Sequence, residues 1–248
     1  MNLTIDQGNS RTKVALFDES GQLKKAIVYK AFTSADVERL FSLYPIKASI
    51  ISSVINIEPA VVNALHRLSA RFVLFDHLTP LPIKNGYGTP ETLGLDRLAA
   101  AVGAVSLCPN KNLLIIDAGS AITYDYISAD GVFRGGNIAP GIKMRLEALH
   151  KMTQKLPLVE ADENELIPLF GSNTRDAIKA GVIRGVSFEV KGYMRTLTER
   201  GEDFTTFLTG GHAPYILNTI RNKSIRVEKN LTLIGLNCIL EHYAAAHL

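Results

Sequence analysis

Two short stretches of this 248-residue chain put an aspartate at the end of an apolar run and follow it with glycine and small polar side chains. The first is Asp6-Gln7-Gly8-Asn9-Ser10-Arg11-Thr12-Lys13, entered from Asn2-Leu3-Thr4-Ile5. The second is Asp117-Ala118-Gly119-Ser120-Ala121, entered from Leu113-Leu114-Ile115-Ile116. A carboxylate so placed can hold a cation through its water shell, because Mg²⁺ keeps much of its hydration. Glycine lets backbone N–H groups close on phosphate oxygens, and Lys13 adds a positive point charge. A third stretch, Gly94-Leu95-Asp96-Arg97, opens an Ala-rich helical pattern, where the helix dipole and free N–H groups favour an anion. Asp96 there can accept a proton from a hydroxyl, and Arg97 can pair with a carboxylate or a phosphate. A fourth, Gly210-Gly211-His212, permits close approach of a ligand to the backbone.

Each piece alone has an ordinary reading. Asp-x-Gly is also a common hairpin turn, an acid in a first helical turn answers the dipole, and Gly-Gly is a routine tight connection. His77 and His212 read as structural or helix-start residues, and Asp125 and Glu147 as solvated surface. The recurrence of the acidic turn changes the balance. Both copies run apolar strand, Asp, small residue, Gly, hydroxyl and second strand, and both reach another turn, Asp18-Glu19-Ser20-Gly21 or Ser128-Ala129-Asp130-Gly131. A repeat of this kind implies a duplicated fold with the two acidic turns facing each other across a cleft. Together the groups suit phosphoryl transfer, which needs positioning and charge neutralisation more than covalent chemistry. No Ser-His-Asp order, Cys-His pair, zinc spacing, Walker pattern or Gly-x-Gly-x-x-Gly competes.

The elements that must position these groups follow from periodicity. Strands are predicted near 2–6, 12–17, 23–30, 48–54 and 71–75, with helices starting at Thr33-Ser34 and Pro59. Residues 76–92 read as an ordered loop before a helix from Leu93 to Leu107. The second half predicts strands near 112–117, 121–127 and 131–137, then a glycine-proline segment, Gly135 to Gly141, leading into a helix from Ile142 to Met152. A helix capped by Asn173 or Thr174, a strand at 204–209, a helix, a strand at 225–227 and a helix from Leu231 to His247 complete it. The fold class is α/β: two duplicated ribonuclease-H-like domains, 1–111 and 112–248, with mixed sheets and flanking helices around a cleft.

Composition bounds the partners. The net charge is +3 and no basic run is present, which argues against nucleic-acid binding. No apolar run reaches membrane-span length, and no leader pattern opens the chain. Cys108 and Cys238 are too few for a disulfide framework and read as buried thiols. A cytoplasmic protein is expected.

The set Asp6 to Lys13, Gly94 to Arg97, Asp117 to Ala121, Gly135-Gly136-Asn137-Ile138-Ala139-Pro140-Gly141 and Asn173-Thr174 resembles the type III pantothenate kinases, in order from residue 3 to about 240. That family lies in the acetate kinase, sugar kinase, Hsp70 and actin superfamily. The resemblance implies ATP-dependent phosphorylation of pantothenate to 4'-phosphopantothenate, the first step of coenzyme A biosynthesis. It implies that Asp6, Gln7, Gly8, Asn9, Ser10, Arg11, Thr12 and Lys13 form a phosphate loop with Asp6 near Mg²⁺, and that Asp96 is the general base. Tyr87, Gly94, Leu95, Asp96, Arg97 and Thr174 would contact pantothenate. Asp117 would bind K⁺ or NH₄⁺, and Ser120, Gly210 and Gly211 would meet ATP. A homodimer is implied. Ser120 stands where the family more often has Thr, and the hydroxyl is kept. A different small-molecule kinase and a non-enzymatic role in gene regulation are the alternatives. Turnover of ATP with and without pantothenate separates them.

Overall fold

The computed structural model describes residues 1–220, 222 and 224–246. The chain divides into two compact units. The first comprises 1–110, 130–134 and 230–248, and the second 111–129 and 135–229. The sequence-order division at 111 therefore differs from the packing, which groups the C-terminal segment with the first unit. His247, the expected end of the last helix, and Leu248 lie outside the described residues.

The first unit opens with β1 (Asn2–Gln7), β2 (Thr12–Phe17) and β3 (Leu23–Tyr29), then α1 (Ser34–Leu43), β4 (Ala48–Ser53), α2 (Pro59–Leu68) and β5 (Arg71–Leu74). Its sheet has the order β3-β2-β1-β4-β5. β2 is antiparallel to β1, while β4 runs parallel to it. Alternation along β1 sets the faces. Leu3 and Ile5, with Val14, Leu16 and Ile51, pack on Val37 and Leu40 of α1 and Val61 and Leu65 of α2. The Asp36 carboxylate fixes the start of α1 by accepting from the Thr33 backbone N–H at 3.0 Å, and Pro59 opens α2 at a position that needs no N–H donor.

The opposite face carries Asn2, Thr4 and Asp6. Two helices serve this side, α3 (Leu95–Leu107) and α7 (Leu231–Ala246), and Asn2 Nδ2 donates to Asn237 Oδ1 of α7 at 2.9 Å. The alanines of α3 have a structural cause. A Cβ on Gly235 would stand 2.6 Å from the Ala99 carbonyl carbon and 2.9 Å from the Gly103 nitrogen, so the helices meet backbone to backbone. Before α3, the loop after β5 contains short regular elements. It holds a two-residue strand, β6 (Lys84–Asn85), and a short 3₁₀ turn at Pro90–Thr92.

The second unit repeats the plan. β7 (Asn112–Ala118), β8 (Ala121–Ser128), β9 (Val132–Pro140), β10 (Phe204–Thr209) and β11 (Ile225–Val227) run in the order β11-β10-β7-β8-β9. β7 is antiparallel to β8 and parallel to β10, matching β1 with β2 and β4. α4 (Ile142–Lys151), α5 (Thr174–Glu199) and α6 (Ala213–Thr219) pack on Leu114, Ile116, Ile122 and Leu208. The glycine-proline segment is not a connector but the second part of β9, whose first residues pair with β6. Asp125 is 1 % exposed, so the surface reading fails for it: it shares a face of the sheet with its paired residue, fully buried Ile115. Glu147 does lie at the surface, bonded to Lys151. Neither Cys108 nor Cys238 is in a disulfide, and both are half-buried rather than fully buried. Among the described residues no helix is long and apolar enough to cross a membrane.

Candidate active site

In the first unit the Asp6 to Lys13 stretch is the β1–β2 hairpin. Gly8 N donates to Arg11 O at 3.1 Å, closing the turn. Gln7 is anchored from β4: Val54 N donates to its carbonyl at 3.1 Å, and Ser53 Oγ reaches its side-chain oxygen at 3.3 Å. Asn9, Ser10 and Arg11 are exposed at the tip, Thr12 is buried, and Asp6 and Lys13 sit half-buried opposite one another. Asp6 also faces Ser52 across the parallel β1–β4 pair.

The same unit holds Tyr87 and Gly94 to Arg97. Gly94 is the N-cap of α3, and a Cβ there would come within 2.5 Å of Asp96 Oδ1. Glycine leaves the Asp96 carboxylate free to fold over the helix start, where the Arg97 N–H donates to it at 2.9 Å. His77 Nε2 bonds the Leu93 carbonyl at 2.9 Å, fixing the approach to the helix. Arg97 is buried, and its guanidinium carbon lies 5.7 Å from the ring centres of both Tyr87 and Phe133. Tyr87 packs edge-on against Phe133 at 6.0 Å, and its N–H donates to Asn85 Oδ1 at 3.0 Å. A planar cation under two rings holds Tyr87 in place.

In the second unit Asp117, Ser120, Gly210 and Gly211 do come together. Gly210 has φ +92°, a conformation that favours glycine, and a Cβ on it would overlap Asp117 Oδ1 and lie 2.5 Å from the Ala118 carbonyl carbon and oxygen. His212 is the N-cap of α6. Its N–H donates to Ala118 O at 2.8 Å and its Nδ1 lies 2.9 Å from Gly119 O. Gly141 presses on the same loop, since its Cβ would stand 2.8 Å from Gly119 O. Thr174 lies exposed at the first turn of α5, whose cap is Asn173, accepting from Asp176 N at 3.0 Å.

A network that sequence reading missed supports this loop. Arg145 on α4 bonds Glu189 on α5 twice, at 2.5 and 2.8 Å, and donates to Pro140 O at 2.7 Å. It thus pins the residue before Gly141. Tyr124 donates to the same carboxylate at 3.1 Å. Arg145 holds the Glu189 carboxyl below its ordinary range, and burial pushes the Tyr124 hydroxyl up. Sequence gave no sign of it, because Arg145 and Glu189 lie on different helices. The hydroxyl next to each acid was also missed: Ser52 opposite Asp6, and Thr209 opposite Asp117. For Ser52, the Ser-Ser pair that ends β4 was the available signal.

The donor chemistry fits the implied ions. Among the described residues no three His, Cys, Asp or Glu side chains gather as a metal cage. Mg²⁺ in a nucleotide site does not need one, taking one or two carboxylates together with phosphate oxygens and water. Asp6 at the hairpin offers such a carboxylate. Asp117 beside backbone carbonyls offers the all-oxygen surroundings that suit a hard cation.

The type III pantothenate kinase family model matches residues 2–196. A type III pantothenate kinase of Phocaeicola vulgatus is 43 % identical over 242 residues, covering 98 % of each chain. The chain belongs to the type III pantothenate kinase family. As a type III pantothenate kinase it phosphorylates pantothenate in coenzyme A biosynthesis, and it uses ATP. Among solved structures it is similar to a putative Baf family transcriptional activator from Campylobacter jejuni, with TM-score 0.64, 20 % identity and 98 % and 99 % of the two chains covered. It is also similar to the activator of the 2-hydroxyisocaproyl-CoA dehydratase from Clostridium difficile with bound ADPNP, with TM-score 0.56, 11 % identity and 99 % and 96 % covered. Those two likenesses concern the fold, a two-sheet α/β architecture.

Proposed function

We propose that this pantothenate kinase works with Asp96 as general base. The Asp96 carboxylate takes the proton from the primary hydroxyl of pantothenate as that oxygen bonds the γ-phosphorus of ATP and the bond to the ADP oxygen breaks. Tyr87, Gly94, Leu95, Arg97 and Thr174 hold pantothenate. The hairpin Asp6 to Lys13 binds the phosphates, with Asp6 holding Mg²⁺, which when bound neutralises phosphate charge. Ser120, Gly210 and Gly211 meet ATP, and Asp117 takes K⁺ or NH₄⁺. The observation that carries this reading is the start of α3, where a glycine N-cap makes room for a half-buried carboxylate and a buried arginine braces the aromatic ring of Tyr87.

We also propose a cytoplasmic homodimer that binds neither nucleic acid nor membrane. The second unit exposes Met152, Leu166, Leu169, Phe170 and Phe188, an apolar set suited to contact with another copy. The experiment is ADP release by the purified chain, measured with and without pantothenate and with sugars or short carboxylates in its place. Pantothenate-dependent turnover is expected. Turnover driven by another acceptor alone, or none at all, overturns the assignment, and sedimentation at a monomer mass removes the dimer.

A further inference from the structure

Ser52 is the penultimate residue of β4, a strand inside the first sheet, and is 0 % exposed. Its Oγ has no hydrogen-bond partner among the described residues, and neither has that of Thr4. A buried hydroxyl left this way weakens a fold, so each such group calls for an explanation. The pairing of β1 with β4 supplies one for Ser52. The register sets Ser52 directly opposite Asp6, and Thr4 opposite Ile50. Paired residues of neighbouring strands stand about 4.8 Å apart with side chains on the same face, so a serine hydroxyl can reach an aspartate carboxylate. That face is the one served by α3 and α7, as the Asn2 to Asn237 bond on the same strand shows. The plan recurs in the second unit, where Thr209, 2 % exposed, is paired with Asp117.

We propose that Ser52 is a positioning residue for Asp6: in the metal–nucleotide-loaded enzyme its hydroxyl donates to one carboxylate oxygen and turns the other toward the cation. The proposal rests on the reading of Asp6 as the Mg²⁺ carboxylate. A donor bonded to one oxygen removes rotational freedom of the carboxylate and leaves its charge intact. Thr4 has the same burial and the same unpartnered hydroxyl but faces an isoleucine, so it acts as a built-in control.

The test is a thermal-shift titration of Mg²⁺ in the presence of a non-hydrolysable ATP analogue, with steady-state turnover alongside. Ser52→Ala should melt no lower than wild type when free of ligand, because no bond is lost. Its half-saturating Mg²⁺ should rise about 10-fold in both readouts, the size of one hydrogen bond to a charged group. Ser52→Thr, which keeps a hydroxyl, should recover most of the shift, and Thr4→Val should leave the Mg²⁺ response unchanged. Ser52→Cys, near in size and a far weaker donor, serves if the alanine variant folds poorly. An unchanged Mg²⁺ response in Ser52→Ala beside a clear shift in Asp6→Asn overturns the role of Ser52 alone. An equal shift in Thr4→Val makes the effect one of packing and overturns it too. No shift in Asp6→Asn removes the metal assignment beneath it.

Discussion

Gly210→Ala tests whether the second acidic turn is as tightly built as its geometry indicates. The new Cβ would lie 2.5 Å from the Ala118 carbonyl carbon and oxygen, against about 3.4 Å for ordinary contact, so the gap must open by about 0.9 Å. Both of these Ala118 atoms are backbone, so no flexible side chain can give way. Asp117, whose Oδ1 the Cβ would overlap, must move as well. A misplacement of about 1 Å in a site costs on the order of 100-fold in rate. The φ of +92° adds about 1–2 kcal/mol of backbone strain for alanine. Gly201→Ala isolates that second effect, because Gly201 has φ +74° and nothing within 4 Å of its Cβ position. Turnover and urea unfolding of both variants are the assays. Gly201→Ala should lose stability with turnover near wild type, and Gly210→Ala should lose both. Gly210→Ala turning over within a few-fold of wild type would refute the reasoning, since the loop would then absorb the methyl without consequence for chemistry.

Asp96→Asn should keep pantothenate and ATP binding while turnover falls by about 10²–10⁴-fold, read by isothermal titration beside steady-state rates; a loss of only a few-fold removes the general base. For Asp117, a titration of K⁺ at fixed ionic strength and fixed Mg²⁺-ATP should raise wild-type activity, NH₄⁺ should replace K⁺, and Asp117→Ala should lose both activity and response; a flat wild-type curve strikes the monovalent cation from the mechanism. Gly235→Ala should destabilise by roughly 1–3 kcal/mol or more in denaturant unfolding, because the added methyl meets α3 backbone; a midpoint unchanged from wild type would mean the two helices separate freely. The Arg145–Glu189 pair predicts a pH effect. The folded-state pKa of Glu189 is lowered from 4.5, so its contribution is present above that value and is lost as pH falls through the lower folded value. Glu189→Gln should flatten the acid limb of a stability–pH curve, and an unchanged limb counts against the pair.

Most of the strand plan was legible because burial alternates with residue type: Leu3 and Ile5 point one way, Asn2, Thr4 and Asp6 the other. The repeated acidic turn was legible too, since each copy is contiguous in sequence. What sequence order hid were contacts between distant segments. Nothing in Leu231 to Ala246 announces that it closes on Ala99 and Gly103, and only a glycine on each helix records the meeting. The strand expected at 131–137 runs on to Pro140, although glycine and proline in its second part do not announce a strand. Asp125 reads as surface because a carboxylate in a strand is usually solvated, yet it is 1 % exposed. Ser52 was invisible as a partner of Asp6, because 46 positions separate two residues that share one rung of the sheet.

The crossing of α3 with α7 has a consequence for the order in which the molecule is made. The first unit draws on both ends of the polypeptide, whereas the second is finished by residue 229. About 120 residues separate Asn110 from Asn230, roughly 6–24 s of translation at about 5–20 residues per second. During that interval the nascent sheet of β1 to β5 has α1 and α2 on one side while α7 is still unmade, and α3 presents its alanines without a partner. The second unit can complete its core first, although it is encoded later. A released chain ending at residue 229 would thus be protease-resistant across 135–220 and open to cleavage within 1–110.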